Sequence, residues 1–464
     1  MEDSHEKCAV FGVYGPGLNV AQVTHAGLWS LQHRGQEGTG IAVADGQTIE
    51  AKKGLGLVTQ VYSDEDMAGL TGHIAVGHNR YSTNGSSVLE HVQPVLRHDQ
   101  QLALAHNGNL PESKKLEQFL RRVGVSTSKS NDSEMMADAI RYYVVKGLSL
   151  DQAIKKAYPL FTGAFSTIVM TKDTLIAVRD RCGVRPLVMG RLGEGYIFSS
   201  ESCVFPVIGA TFEREVLPGE MVIVDKDGLR SIQVAKGQQK FDIFEFVYFA
   251  RADSMFMGKR VNEVRRNFGR QLAHEAPVKA DVIVAVPDSA FPAAEGFSKE
   301  SGIQVENGFI KNGYVHRTFI RPEQHIREKH LSMKLVPIPE VLAGRSVILV
   351  DDSIVRGTTT KQLMRQIKEA GAREVHVRIT APPTLYPDFY GIDTPRQDEL
   401  IAATKTLAEI TKFIGADSLA YLSYKGMIKA TGLPEKVFCS SCFTGTYPIP
   451  IGERKKEVKT VKFR

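Results

Sequence analysis

The sequence has few cysteines, no long apolar run and no strong excess of either charge. Five cysteines in 464 residues are too few for a disulfide framework, so each is read singly. No segment approaches the ~18 consecutive apolar residues that a membrane-spanning helix needs. The opening MEDSHEKC has no apolar signal core. These absences predict a cytoplasmic protein with no membrane partner. The net charge of +6 suits small anionic substrates, and because the basic residues are spread along the chain it predicts no nucleic-acid partner. The one basic run, ERKKEVKTVKFR at the end, reads as a solvated terminus. What is present is a chain of ordinary globular composition, 42% apolar and 24% charged, long enough for two or three domains.

The most informative stretch is Val347 to Thr360, VILVDDSIVRGTTT. Val347, Ile348, Leu349 and Val350 predict a buried parallel strand, which runs into two adjacent carboxylates, Asp351 and Asp352. Arg356-Gly357-Thr358-Thr359-Thr360 forms a small hydroxyl-rich turn before KQLMRQIKEAG, whose Leu363, Ile367 and Ala370 fall at helical spacing. Unpaired amides at a helix start, with hydroxyls beside them, favour an anion, and Gly357 lets the backbone approach it. Two carboxylates ~4 Å apart repel by about 1 kcal/mol in water and about 4 kcal/mol at an effective dielectric near ~20. Ribose hydroxyls or Mg2+ relieve that repulsion. The predicted ligand is a phosphorylated sugar, its phosphate on the turn and its 2′ and 3′ hydroxyls on the aspartates. A plain capped helix needs only one carboxylate or hydroxyl. The stretch resembles the phosphoribosyl diphosphate (PRPP) motif of phosphoribosyltransferases. That resemblance implies PRPP binding by Asp351, Asp352, Arg356, Gly357, Thr358 and Thr359.

Toward the N-terminus, Cys8 opens CAVFGVYGPG, a strand signal punctuated by glycine. A helical segment follows, with Val20, Val23, Leu28 and Leu31 on one face, and then a tight polar cluster at 34–37. Short strands and turns are read from there to about Val224. Cys8 alone fits an inert buried thiol as readily as a nucleophile. In order along the chain, however, CAVFG, LQHRGQEGTGI, NRYSTNG, AHNGNL and NDSEM resemble the glutamine amidotransferase domain of the N-terminal nucleophile class. Amide hydrolysis needs a nucleophile, a base, an oxyanion hole and a clamp for the amino-acid end. The resemblance implies that Cys8 is the nucleophile and that its freed α-amino group is the base, with residues 1–7 a propeptide. It further implies an oxyanion hole at Asn107 and Gly108, a carboxylate ligand at Arg80 and an α-ammonium partner at Asp132. Ala9 stands where that class usually has glycine. Cys182 and Cys203, in apolar strand-like surroundings, read as packing residues.

Composition changes across residues 225–243, and the boundary is placed at 235/236. Beyond it FEFVYFARADS reads as a strand and loop, and RVNEVRRNFGRQLAHEAP as a helix. DVIVAVPDSA reads as a second buried strand with a polar exit. That exit alone fits an ordinary turn. It resembles a pyrophosphate loop, which implies Mg2+ held by Ser289 with Asp351 and Asp352. The charged segment 316–335 reads as a surface loop, and by resemblance as a lid. Cys439 and Cys442, in FCSSCFTG, fit a reduced turn, a redox pair or half a metal site. One branch of the related family binds a 4Fe-4S cluster there through four cysteines. Two of those positions are Asp242 and Asp388 here, hard ligands poorly suited to such a cluster, so none is expected. A zinc site of Asp242, Asp388, Cys439 and Cys442 is one alternative, and aspartates paired with local cations beside free thiols is the other.

Both halves in this order resemble the amidophosphoribosyltransferase family. The implied fold is an α+β, four-layer αββα N-terminal-nucleophile amidotransferase domain over residues 8–235, then an α/β phosphoribosyltransferase domain with a mainly parallel sheet over 236–464. The implied activity is conversion of glutamine, PRPP and water to 5-phosphoribosylamine, glutamate and diphosphate, in the first step of purine biosynthesis. A homotetramer inhibited by purine nucleotides is expected from the same resemblance. The competing reading is a non-catalytic PRPP-sensing regulatory protein that kept the fold.

Overall fold

The computed structural model describes residues 8–81, 88–97, 99, 102–313, 335–392, 394 and 396–463. The expected propeptide and all of the expected lid except Leu335 lie outside the described residues.

Among the described residues thirteen strands build the N-terminal half. They are β1 (Ala9–Tyr14), β2 (Gly38–Ala44), β3 (Ile49–Leu55), β4 (Ile74–Arg80), β5 (Val95–Arg97), β6 (Leu102–Glu112) and β7 (Thr162–Met170), followed by β8 (Leu175–Arg179), β9 (Val188–Leu192), β10 (Gly195–Ser199), β11 (Thr211–Glu215), β12 (Glu220–Asp225) and β13 (Gly228–Gln233). They form two antiparallel sheets, ordered β11-β9-β10-β1-β4-β2-β3 and β13-β12-β8-β7-β6-β5. Alternation along β1 explains the layering. Ala9, Phe11 and Val13 face the helix Val20–Ser30 through Ala21 and Leu28, whereas Val10 faces the second sheet through Ala105 and Ile168. The far face of the second sheet, including Leu104 and Phe165, is covered by Leu116, Met136, Ile140 and Ile154. The result is four layers, αββα. Central strands such as β1 and β8 are buried on both faces and read as continuous apolar runs, whereas the edge strands β3, β11 and β13 are partly exposed and carry polar residues. Fully burying one such aliphatic or aromatic side chain contributes about 1.5–3 kcal/mol relative to exposing it.

This half is more helical than the sequence reading held. Helices Lys114–Arg122, Asp132–Val145 and Leu150–Ala157 form the outer layer. Asn131 Oδ1 accepts a hydrogen bond from Glu134 N at 2.9 Å while the Glu134 carboxylate accepts one from Asn131 N at 2.8 Å, a capping box inside the NDSE string.

In the C-terminal half, strands Val282–Ala285, Ser346–Asp351, Glu374–Ile379 and Ser418–Tyr421 form a parallel sheet in that order. Helices Val261–Glu275, Phe291–Ser301, Thr358–Glu369 and Leu407–Ile414 pack against it. Leu363 and Ile367 are fully buried, as their spacing predicts. FEFVYF is not a strand: Glu245–Phe249 is a π-helical turn. Its alternation of apolar and polar residues has another cause. Phe244, Phe246 and Phe249 are buried in the core, while Glu245 points to two buried arginines, Arg34 and Arg185. Among the described residues no helix is long and apolar enough to cross a membrane.

Candidate active sites

Register places the first site. Ala9 pairs with Asn79 on β4, so Cys8 lies level with Arg80. The Cys8 Sγ donates to Tyr81 O at 3.8 Å. Burial pushes the thiol up, against the opposing pull of a Tyr81 backbone hydrogen bond and the Arg80 charge. A resting Cys8 is therefore a neutral thiol that needs a base before it can attack. Asp132 also acts electrostatically on this thiol, raising it further.

Asn107 and Gly108 sit side by side on β6. Asn107 is buried, and its Nδ2 has no hydrogen-bond partner among the described residues. A buried amide donor left open in this way suits a developing oxyanion. Asp132 is the first residue of the helix Asp132–Val145, and its Oδ2 accepts from Leu110 N at 3.2 Å, tying the helix start to β6. Behind the pocket Ser133 Oγ accepts from Gln93 Nε2 at 3.1 Å and lies 3.1 Å from His106 Nδ1. Arg80 Nη1 donates to His91 O at 2.6 Å, while its Nε has no partner among the described residues.

The second site stands where the strand Ser346–Asp351 leaves the parallel sheet. Asp351 and Asp352 are both 5% exposed. Asp352 accepts Ser289 Oγ at 2.5 Å and Ser353 Oγ at 2.6 Å. Ser289, from the exit of the neighbouring strand, is thus brought to the carboxylates. Gly357, at φ +78°, caps the helix Thr358–Glu369, and Thr359 Oγ1 is buried with no partner among the described residues. Thr358 is exposed. Arg356 is engaged by Glu399 through Nε at 3.1 Å and Nη2 at 2.9 Å. The hard oxygen donors of Asp351, Asp352 and Ser289 fit Mg2+, which keeps several ligands from water or substrate phosphate.

The possible metal site at Asp242, Asp388, Cys439 and Cys442 is not formed: among the described residues no group of three or more His, Cys, Asp or Glu is placed to hold a metal ion. Asp242 lies opposite Cys439 in a two-strand parallel pair, but its Oδ2 accepts from Arg185 Nη1 at 2.8 Å and its Oδ1 from Phe244 N at 3.0 Å. Asp388 Oδ1 accepts from Tyr390 N at 2.7 Å and Ile392 N at 3.0 Å. Burial, with Asp242 and Asp388 near, holds the Cys439 thiol well above the ordinary range, so it is protonated. Two thiols, and carboxylates committed to an arginine and to backbone amides, do not fit a 4Fe-4S cluster. Anaerobically purified protein is expected to be colourless with well under about one iron per chain, and about four irons with four sulfides would contradict this.

Sequence reasoning left one group without a role. Arg34, in the polar cluster at 34–37, donates through Nε to Cys8 O at 3.4 Å. Its other nitrogens bond Glu201 at 2.5 Å and Glu245 at 2.9 and 3.0 Å. Glu245 also pairs with Arg185. The buried guanidinium thus joins the Cys8 backbone to the second half of the chain. Its only sequence signal was the density of polar residues after an apolar helix.

Two domain families match, the glutamine amidotransferase domain over residues 78–206 and the phosphoribosyl transferase domain over 258–383. The amidophosphoribosyltransferase of Synechococcus elongatus is 47% identical over 461 residues, covering 98% of this chain and 94% of that one. The chain belongs to the amidophosphoribosyltransferase family. The Bacillus subtilis member is 43% identical, with 96% of this chain and 95% of that one covered. A solved structure of the B. subtilis glutamine PRPP amidotransferase in complex with ADP and GMP superposes with a TM-score of 0.89 at 42% identity, covering 96% of this chain and 98% of that one. Membership fixes the fold as an amidotransferase domain followed by a phosphoribosyltransferase domain. It also fixes the activity, glutamine-dependent amidophosphoribosyl transfer in purine biosynthesis. Nothing in the structure or among the relatives supports a non-catalytic PRPP sensor.

Proposed function

We propose that this family's chemistry is carried here by Cys8 in one half and by the Asp351–Thr359 turn in the other. The observation that carries the reading is the buried Asn107 Nδ2, without a partner among the described residues, on the strand to which Asp132 is tied, whose charge acts on the Cys8 thiol. Removal of residues 1–7 frees the Cys8 α-amino group, whose reference pKa of about 7.7–8.0 suits a base at working pH. That amine takes the thiol proton, and Sγ bonds to the amide carbon of glutamine. Asn107 Nδ2 and the Gly108 N–H stabilise the oxyanion, Arg80 grips the α-carboxylate with its fork, and Asp132 pairs with the α-ammonium. Collapse expels ammonia, and water releases glutamate from the thioester.

Ammonia reaches the second site uncharged, because ammonium is no nucleophile and is costly to desolvate. There Gly357, Thr358 and Thr359 bind the 5′-phosphate, with Arg356 beside them. Asp351 and Asp352 take the ribose hydroxyls, and ammonia attacks C1 as diphosphate leaves. When bound by Ser289, Asp351 and Asp352, Mg2+ supplies positive charge to the leaving diphosphate. The domain division at 235/236, a homotetrameric assembly, feedback inhibition by purine nucleotides and a cytoplasmic location complete the proposal. ADP and GMP in the B. subtilis structure support nucleotide binding.

Covalent labelling tests the assignment. An electrophilic glutamine analogue, carrying a diazoketone in place of the amide, is expected to modify one peptide that begins at Cys8. Label on another residue, or full glutamine-dependent activity before labelling in a chain still starting at Met1, would contradict it.

A further inference from the structure

The oxyanion strand is held in place from the other half of the chain. Gly108 lies on β6 opposite Phe165, and a Cβ there would sit 1.9 Å from Ala164 O on β7. Gly391 packs against the other side of that peptide. It has φ +107°, and a Cβ on it would lie 3.1 Å from Gly108 Cα and C. Next along β6, Asn109 Nδ2 donates to Phe389 O at 2.8 Å. The segment 388–392 therefore touches the oxyanion strand at two consecutive residues, once by backbone packing and once by a hydrogen bond.

Asp388 determines the shape of that segment. Its Oδ1 accepts from both Tyr390 N and Ile392 N, and its own N–H donates to Thr394 Oγ1 at 2.6 Å. These bonds flank Gly391 on both sides and fix the peptide that meets Gly108. The base of the turn is anchored as well. Phe389 and Tyr390 are buried in one cluster with Ala164, Cys182 and Val184 from the N-terminal half, and the Tyr390 hydroxyl donates to Ile449 O at 2.5 Å. The turn is thus rigid and capped by a carboxylate. Its tip bears on the residue whose N–H serves the oxyanion.

We propose that Asp388 is a positioning residue for glutamine hydrolysis: through the 388–392 turn it sets the Gly108 and Asn109 peptides, and with them the oxyanion hole of the opposite domain. The inference rests on the proposed oxyanion role of Asn107 and Gly108. Loss of Asp388 leaves two amides without their acceptor and lets Gly391 and Phe389 move relative to β6. Oxyanion stabilisation is realised only in the transition state, so the effect falls on kcat rather than on glutamine KM. The PRPP site takes no part in this contact, so ammonia-dependent synthesis is spared.

The test measures glutamine-dependent and ammonia-dependent synthesis in parallel on the full-length enzyme. Asp388→Ala is expected to lower glutamine-dependent kcat by roughly 10- to 100-fold, as expected for a misplacement of about 1 Å, with KM for glutamine nearly unchanged. Ammonia-dependent synthesis is expected to stay within about twofold of the parent. Asp388→Asn keeps an acceptor oxygen for both amides and is expected to restore most of the rate, which a lost metal ligand would not allow. Asn109→Ala, which cuts the tie to Phe389 from the amidotransferase side, should show the same selective loss, and it decides the matter if Asp388→Ala does not fold. Equal falls in both activities, or no fall in either, would overturn the inference. Asn107→Ala separates it from its premise. If that variant keeps full glutamine-dependent activity the oxyanion assignment itself fails, whereas a loss there with an unaffected Asp388→Ala refutes only the role of the turn.

Discussion

Replacing Cys8 with alanine is expected to lower glutamine-dependent synthesis by more than ~10³-fold, since the nucleophile of a covalent route cannot be bypassed. Synthesis from ammonium salts at alkaline pH, where free NH3 is present, should persist within about twofold of the parent, because the two sites do not share groups. The fold should tolerate the change. Cys8 precedes β1, and its thiol makes a weak contact with Tyr81 O at 3.8 Å. Parallel assays of glutamate release and ammonia-dependent synthesis check this prediction. Loss of both activities would mean that Cys8 serves the second reaction too.

Asp352→Asn is expected to have the second largest effect, and on the other half of the chemistry. The substitution keeps the side-chain volume and an acceptor for one of the two hydroxyls, Ser289 Oγ on Oδ2 at 2.5 Å and Ser353 Oγ on Oδ1 at 2.6 Å, but removes the charge. A buried carboxylate that binds sugar hydroxyls and Mg2+ is worth about 3–4 kcal/mol, so kcat/KM for PRPP should fall roughly 10²- to 10³-fold. The fall should be equal with glutamine or ammonia as donor, in contrast to Cys8→Ala. Diphosphate release measured against PRPP concentration is the readout, and a normal PRPP dependence would refute the role given to VILVDDSIVRGTTT.

The two sites were legible for different reasons. Val347–Val350 is covered on both faces, so the parallel strand shows as an unbroken apolar run and its exit as the first polar residues. Local sequence therefore carries strand, loop and helix together. The first site depends on long-range register: Cys8 meets Arg80 because β1 pairs with β4, and Asn107 comes from the other sheet. Only the resemblance of its strings carried that site. Local periodicity misled at FEFVYF, where a π-helical turn buries its aromatics and aims Glu245 at Arg34 and Arg185. The partners of Asp242 and Asp388 were also beyond reach. Arg185 lies far away in sequence, and an Asx-type cap on 390 and 392 leaves no period to detect. Of the readings left open for these side chains, pairing with a cation fits Asp242, whereas Asp388 is a turn cap.

The most direct test of the account follows glutamate and diphosphate together in one reaction, with purified enzyme, Mg2+, glutamine and PRPP. Transfer of ammonia from the first site to the second predicts that the two products appear in a ratio near one, with glutamate release rising when PRPP is added. Glutamate formed at the same rate with and without PRPP, and no diphosphate accompanying it, would contradict the coupling of Cys8 to the Asp351–Thr359 site.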